Sequence, residues 1–505
     1  MMSLRHTLTP LMLALVLAGC ATAPEPRDAK LSVPAGFKEA AATEANATTT
    51  AAAPQGQWKT AEPSEAAPRG AWWLAFDDAK LNELQQQAEA ANPSLAVAAA
   101  RVKAARASLG SARADRLPQV GINAGVTRQK YAPAQQGYSA DTNLPPGTVW
   151  NAGLSASYEV DLFSRVANSV NAAQADAQAS EATYRSVLLT LQADVAQAYF
   201  NLRTLDAEVA VLERTLGLRQ ETSNLIGKRK DAGDVSELDV ARARTDLATT
   251  RAELQGVRGQ RAQVEHALAL LLGQAPANFN LAPQPLATDA KVPHVPAGLP
   301  SALLERRPDV AAAQAQMMAA TARVGQARSA VFPALMLTAN GGNASYELHN
   351  LFDWSARAWL VNAVLSMPLF DGGRNKANIT RAEASLDESV ASYRQTVLGA
   401  FGDVEDKLSG LAAVRDQTES LDEAVVAARR SAELADKRYR AGEDSYLTLI
   451  DTQRSLLAIE RQAVQLRGSW ATTTVGLIRA LGGSWGEPSA AQASAPPQGD
   501  AVKPL

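Results

Sequence analysis

Cysteine is all but missing: Cys20 stands alone in 505 residues. No disulfide can form within the chain and no thiolate metal site can be built. Histidine is nearly as scarce, and His6, His266, His294 and His349 are scattered without the spacing of metal ligands. No glycine-rich phosphate loop and no nucleophile elbow occurs, so the chain offers no site for ATP hydrolysis. Beyond the first twenty residues there is no long apolar run, which leaves no transmembrane helix. Charge of one sign is lacking too: 49 Lys and Arg face 52 Asp and Glu, interspersed rather than in blocks, which argues against a nucleic-acid partner. Aromatic residues make up 5% and alanine is abundant, a balance that favours helices packed at close range over one large globular core.

What is present begins with an address. Arg5 and His6 precede the apolar stretch 11–17, too short for a permanent span, so 1–19 reads as a signal peptide. Leu17-Ala18-Gly19-Cys20 resembles the bacterial lipobox, in which the cysteine sulfur takes a diacylglycerol and the amino terminus exposed by cleavage is acylated. Cys20 is the expected lipidation site and its covalent lipid the only expected cofactor. At about 0.8 kcal/mol per buried CH₂, several acyl chains anchor firmly. Ala21 and Thr22 follow, with no aspartate after the cysteine to suggest retention at the inner membrane. Residues 20–70, rich in Ala, Pro and Thr, read as a lipidated linker with little fixed structure, and 485–505 as a flexible tail.

The middle of the chain is duplicated. Asn92-Pro93-Ser94-Leu95 matches Arg307-Pro308-Asp309-Val310, and Leu117-Pro118 matches Phe332-Pro333, at an offset of 215. Asp194-Val195, Ala232-Gly233 and Leu272-Gly273 match Asp403-Val404, Ala441-Gly442 and Leu481-Gly482 at an offset of 209. Such a register is hard to obtain by chance, so 71–285 and 286–484 are two copies of one structural repeat.

Each copy predicts a helix opening at its Asn-Pro or Arg-Pro and ending before Leu-Pro or Phe-Pro. Strands are expected at about 118–131 and 148–163, then 333–347 and 356–370. Trp150, Ala152, Leu154, Ala156 and Tyr158 alternate with Asn151, Gly153, Ser155, Ser157 and Glu159, and Val120, Ile122, Ala124 and Val126 alternate likewise. Trp359, Val361, Ala363 and Leu365 do so less cleanly, because Leu360 and Val364 sit on the other face. An apolar face backed by a polar one fits a membrane β-barrel around a wet lumen. On the strands alone a half-buried sheet in a soluble sandwich fits as well; the lipobox favours the barrel.

Long helical hairpins follow, at about 166–273 and 373–482. Leu188, Leu191, Val195, Ala198, Leu202, Leu205, Val209, Leu212 and Leu216 step by threes and fours. The returning helix shows Val257, Arg261, Val264, Leu268 and Leu271, with one polar interruption. Copy two matches with Leu449, Thr452, Leu456, Ile459, Ala463, Leu466, Trp470, Thr473 and Leu477. A seam kept this long means coiled-coil packing, and about 60 helical residues reach roughly 90 Å. Four membrane strands cannot close a barrel, and open sheet edges are not tolerated in lipid. Three chains would supply twelve strands, with the helices continuing the tube as a periplasmic α-barrel. The expected fold class is therefore mainly α with membrane β, in a homotrimer.

Duplication, strand pairs, long hairpins and lipobox together resemble the TolC superfamily, in its OprM/NodT-like lipoprotein branch. The resemblance runs from about Trp72 to Trp485. It is most specific at Asp231-Ala-Gly-Asp-Val-Ser-Glu-Leu-Asp239, at Leu369-Phe-Asp-Gly-Gly-Arg374 and at Tyr439-Arg-Ala-Gly-Glu-Asp-Ser-Tyr-Leu-Thr-Leu-Ile-Asp451. It implies an outer-membrane exit duct of a tripartite efflux system, conducting drugs or other small molecules. Its partners would be a periplasmic adaptor and an inner-membrane pump, of the RND type. The tip residues Gly233, Ser236, Leu238, Gly442, Ser445 and Leu447 would meet the adaptor; by themselves the glycines and serines need only make helical hairpins. Leu447 and Asp451, one helical turn apart, match the family's periplasmic constriction, with Arg438, Tyr439, Arg440 and Asp444 as candidates to hold it shut. A ring of three Asp451 carboxylates would favour cations and can bind divalent metal; without the resemblance Asp451 is an exposed helix carboxylate. Arg242 occupies the matching position in copy one. A type I protein-secretion duct is an alternative, and a structural coiled-coil lipoprotein without a pore is another, though it leaves the paired strands unexplained. An enzyme finds no site.

Overall fold

The structure is a computed structural model that describes residues 23–25, 33–34, 36–40, 71–286, 292–293, 295 and 305–483. The signal peptide, Cys20 and the tail 485–505 lie outside the described residues. Helix α1 (Ala79–Ala91) is followed by α2 (Pro93–Ala114), strands β1 (Gln119–Gln129) and β2 (Gly147–Val160), long helix α3 (Arg165–Asp231) and returning helix α4 (Glu237–Leu271). The second half lays down the same series: α5 (Pro308–Ser329), β3 (Ala334–Ser345), β4 (Arg357–Ser366), α6 (Arg374–Ala441) and α7 (Tyr446–Ala480). The chain is mostly helical, and among the described residues no helix is long and apolar enough to cross a membrane.

The repeat is visible in its joints. Pro93 and Pro308 each occupy the first position of a 22-residue helix, where a missing N–H costs nothing. Asn92 Nδ2 donates to the Leu271 carbonyl at 2.8 Å, and Arg307 Nη1 donates to the Ala480 carbonyl at 3.1 Å. Different side chains thus make one contact at equivalent positions. The two offsets also find their cause: the β1–β2 connection takes residues 130–146, six more than the 346–356 connection of β3 and β4.

Compactness does not follow the duplication. One unit holds Arg101–Glu181 and Ala312–Arg394, the other Leu31–Ala100, Ala182–Ala311 and Gln395–Leu505. Each unit draws on both halves of the sequence.

The first unit contains an antiparallel sheet of order β1-β2-β3-β4. Ile122, Leu154, Gly341 and Trp359 stand abreast across it, as do Val120, Ala156, Ala339 and Val361. Directly paired residues share a face, so one face is apolar and the other carries Asn123, Asn151, Ser155, Asn340 and Asn362. Leu360, Val364 and Met336 interrupt the polar face. Gly153 opposes Gly342 at the β2–β3 seam, where a Cβ on Gly153 would lie 2.6 Å from the Gly341 carbonyl oxygen; only glycine fits so close an approach. β4 stops at Ser366, short of the expected 370, because Pro368 has no N–H to give a ladder. Beside the sheet, Met317 and Val324 of α5 pack on Leu386 and Val390 of α6.

The second unit is helical. Val211 and Leu212 of α3, Leu254 and Val257 of α4, and Leu457 of α7 form one apolar cluster. The expected seam of α3 is buried at Leu191, Val195, Leu202 and Leu212. That of α7 is buried at Leu449, Ala463 and Leu477, but Leu456, Ile459, Trp470 and Thr473 are half-buried while their neighbours Leu457, Glu460, Ala471 and Thr474 are buried. The cause is a partner on a second side, because Glu460 accepts from Arg214 of α3 at 2.7 Å and from Arg429 of α6 at 2.8 Å. The polar interruption at Arg261 is explained as well. Its guanidinium grips Asp206 at 2.6 Å and Glu265 at 3.0 Å, and donates to the Leu281 carbonyl, holding the linker that leaves α4.

Part of the expected loose linker is placed. Phe37 is buried, and the backbone N–H groups of Lys38 and Glu39 donate to the Glu405 carboxylate of α6 at 2.7 and 3.0 Å. A turn of 3₁₀ helix, Trp72–Phe76, follows, and the Phe76 ring packs against that of Phe200 of α3, tilted by 45° with centroids 4.9 Å apart.

Candidate functional site: the hairpin tips and the apolar sheet face

Two tips close the helical hairpins, and they are built alike. Gly233 and Gly442 have φ of +86° and +79°, the left-handed region where glycine carries no Cβ penalty. Gly233 N donates to Lys230 O at 2.9 Å and Asp234 N to Arg229 O at 2.9 Å. Gly442 N donates to Tyr439 O at 3.1 Å and Glu443 N to Arg438 O at 2.9 Å. Both pairs are Schellman stops, which satisfy the last carbonyls of a helix. Ser236 and Ser445 then cap α4 and α7, each with φ −81° and ψ 155°, accepting from Asp239 N and Thr448 N at 3.3 Å. Such a cap contributes about 1 kcal/mol.

Leu238 and Leu447 follow at equivalent positions, and both are exposed. Asp451 lies one turn beyond Leu447 with its side chain 61% exposed. The four candidate gate-holding residues divide. Arg438 reaches Asp444 at 3.6 Å within the tip. The Asp444 carboxyl is held below the usual carboxylate range by hydrogen bonds from Thr448 and from the Ser445 N–H. Arg440 turns back along its own helix to Asp436 at 2.8 Å. Tyr439 is buried, in an apolar cluster with Ile226 of α3, Val240 of α4, and Tyr446, Leu449 and Ile450 of α7. Each such side chain contributes about 1.5–3 kcal/mol on burial, so the two tips form one packed body.

Polar residues that the sequence did not single out fasten that body. The Arg229 guanidinium lies 4.9 Å from the centre of the Tyr439 ring and 3.5 and 3.4 Å from the carbonyls of Tyr439 and Arg440. There it meets the negative end of α6. Arg454 of α7 donates to Asp246 of α4 at 2.6 and 3.1 Å. Arg219 of α3 donates to the Asp246 carbonyl at 3.0 Å and to the Thr250 hydroxyl. A signal for them existed in the repeat: the counterparts of Asp246, Arg454 and Arg219 at offset 209 are Ser455, Thr245 and Ala428. Asp246 and Arg454, each a charge present in one copy only, meet between the copies.

The first unit carries the sheet. Ile122 is 85% exposed and Trp359 82%, on a continuous apolar face. A sheet with an apolar face open and a polar face behind it, in a chain of long helical hairpins, defines an outer-membrane channel protein.

Known proteins agree. The family model described as outer membrane efflux protein matches residues 84–274 and 299–483, one stretch in each half. The probable efflux pump outer membrane protein TtgC of Pseudomonas putida is 35% identical over 424 residues, covering 84% of this chain and 87% of its own. The cation efflux system protein CusC of Escherichia coli is 31% identical over 481 residues, covering 95% and 98%. The solved structure of the outer-membrane channel OprN superposes with a TM-score of 0.81 at 30% identity, over 92% of this chain and 99% of that one. The chain belongs to the outer membrane efflux protein family. It is an efflux channel of the outer membrane, TolC-like in structure, and not an enzyme.

Proposed function

We propose that three copies of the chain form the exit duct of a tripartite efflux system, passively conducting small molecules outward. The observation that carries this reading is the sheet. β1 and β4 are its outer strands, each paired on one side only among the described residues, and unpaired strand edges cannot face lipid. Three such sheets joined β4 to β1 close a twelve-stranded barrel with the apolar face toward lipid and the Asn- and Ser-bearing face toward the lumen. The helical hairpins continue the duct in the periplasm. Cys20 carries the lipid that anchors the amino terminus.

Substrate enters from an inner-membrane pump, of the RND type, through a periplasmic adaptor docked at the tips. Gly233, Ser236 and Leu238, with Gly442, Ser445 and Leu447, form the docking surface; the exposed leucines supply apolar contact and the capped turns fix their direction. Leu447 and Asp451 line the resting constriction, and the exposure of both side chains supports that role. Arg438, Tyr439, Arg440 and Asp444 stiffen the tip behind them.

Single-channel recording of the purified protein in planar bilayers, wild type against Asp451→Ala, tests the reading. Small cation-selective currents that grow or lose selectivity in the variant support duct and constriction together. Currents unaffected by the substitution remove Asp451 from the constriction. A protein that neither conducts nor migrates as a heat-resistant trimer refutes the duct.

A further inference from the structure

We propose that Arg454 sets the charge of the Asp451 constriction, because one guanidinium is divided between that carboxylate and the buried Asp246. The inference rests on the constriction reading above. Nε and Nη2 of Arg454 lie 3.1 and 2.6 Å from Asp246 Oδ1, while Nη1 faces Asp451 Oδ1 at 3.9 Å. Asp451 and Arg454 share a face of α7, being three residues apart; Asp246 comes from α4, in the other half of the chain.

Burial decides how the cation is shared. The Asp246 side chain is 8% exposed, against 61% for Asp451. A buried carboxylate stripped of its cation is strongly unfavourable, whereas an exposed one loses little. Arg454 therefore stays on Asp246, and Asp451 keeps only the long contact and most of its charge. Asp246 commits a single oxygen to this grip, its Oδ2 being buried without a hydrogen-bond partner. The hold on Arg454 thus depends on Asp246 retaining its charge. Copy one has no equivalent device, since Arg242 and Thr245 stand at the matching positions. Asp246 acts through Arg454 and Arg454 through Asp451, so both are positioning residues that tune ion selectivity from outside the constriction.

The test is the reversal potential of the purified full-length protein in planar bilayers under a KCl gradient. Arg454→Gln should raise cation over anion permeability. Asp246→Asn should release Arg454 onto Asp451 and lower it. Each shift should be roughly two- to fivefold, the scale of one ion pair about 4 Å apart in water. Neither substitution should act in an Asp451→Asn background. Asp246→Asn is a buried change, so heat-resistant oligomer on a gel is checked first; Arg454→Gln, on a half-exposed side chain, carries the test if the former does not assemble. Opposite shifts that vanish without Asp451 support the proposal. Shifts in one direction, or shifts that persist in the Asp451→Asn background, overturn it. If Asp451→Asn alters selectivity and Arg454→Gln does not, the constriction stands and this coupling falls. If Asp451→Asn alters nothing, the constriction itself is refuted and the coupling falls with it.

Discussion

Replacing Asp206 by alanine should free the linker after α4 while leaving both tips intact. The Asp206 side chain is 1% exposed and accepts three hydrogen bonds: Arg261 Nε at 2.6 Å, Arg203 Nη1 at 3.2 Å and Gln284 N at 2.9 Å. Around it, Leu281 N donates to Glu265 at 2.7 Å and Leu286 N to the Arg203 carbonyl at 3.0 Å. Alanine leaves Arg203, itself buried, without its anion. Breaking a buried pair from one side costs about 3–5 kcal/mol. At about 1.4 kcal/mol per decade, the local opening equilibrium should rise by roughly two to three and a half decades. Hydrogen exchange reads this directly, because the amides of 281, 284 and 286 report the docked linker. Asp206→Asn keeps an acceptor but not the charge, and should lose about half as much. The Asp234 and Glu443 amides at the tips should exchange as in the wild type. Unchanged exchange at 281–286 would refute the reasoning, as would a loss spread evenly over the helices.

Gly342→Ala should prevent the sheet from forming, because a Cβ there meets the Ala152 carbonyl and the Gly153 Cα, while Gly341→Ala, with nothing within 4 Å, should be tolerated; heat-modifiable migration on gels separates the two. Gly442→Ala should lower stability by about 1 kcal/mol, since space is open around it and only the positive φ opposes a side chain; thermal unfolding checks the size, and a null effect would argue against the Schellman stop. Burial and then its hydrogen bond to Asp78 push the Tyr199 phenol up to about 12. A raised folded value means the protonated form is favoured by folding, so this contribution is whole below about pH 10 and is lost as pH rises through 12. Tyr199→Phe should remove that part of the alkaline loss, seen as a smaller fall in unfolding temperature between pH 10 and 12.

What the sequence made legible was periodic or duplicated. Alternation along 150–158 placed β2 and its apolar face, and the repeated Ala-Gly with a serine three residues on placed both tips, because strand pleat and helix stop are dictated within a few residues. The seam of α7 was harder. A 3.5-residue rhythm specifies one contact face, and Glu460 with its two arginines adds a second that no hydrophobic pattern encodes. Arg229, Asp246 and Arg454 were missed for a related reason: each is an ordinary exposed-looking charge until a helix from the other half is laid beside it. The docking of the Lys38 and Glu39 amides on Glu405 was equally hidden, since residues that far apart in sequence share no local pattern.

The pairing of β2 with β3 sets a timetable for synthesis. Trp150 finds Ser345 and Val160 finds Leu335, so the sheet cannot be completed until the second half has left the ribosome. Closing a loop of this length early is entropically unfavourable. Until then the first half exposes an apolar hairpin with an open edge, a template for aggregation. A nascent chain of this design is open to aggregation until β3 and β4 have emerged, and a gene cut in the linker should yield two fragments whose four-stranded sheet forms only when both are present.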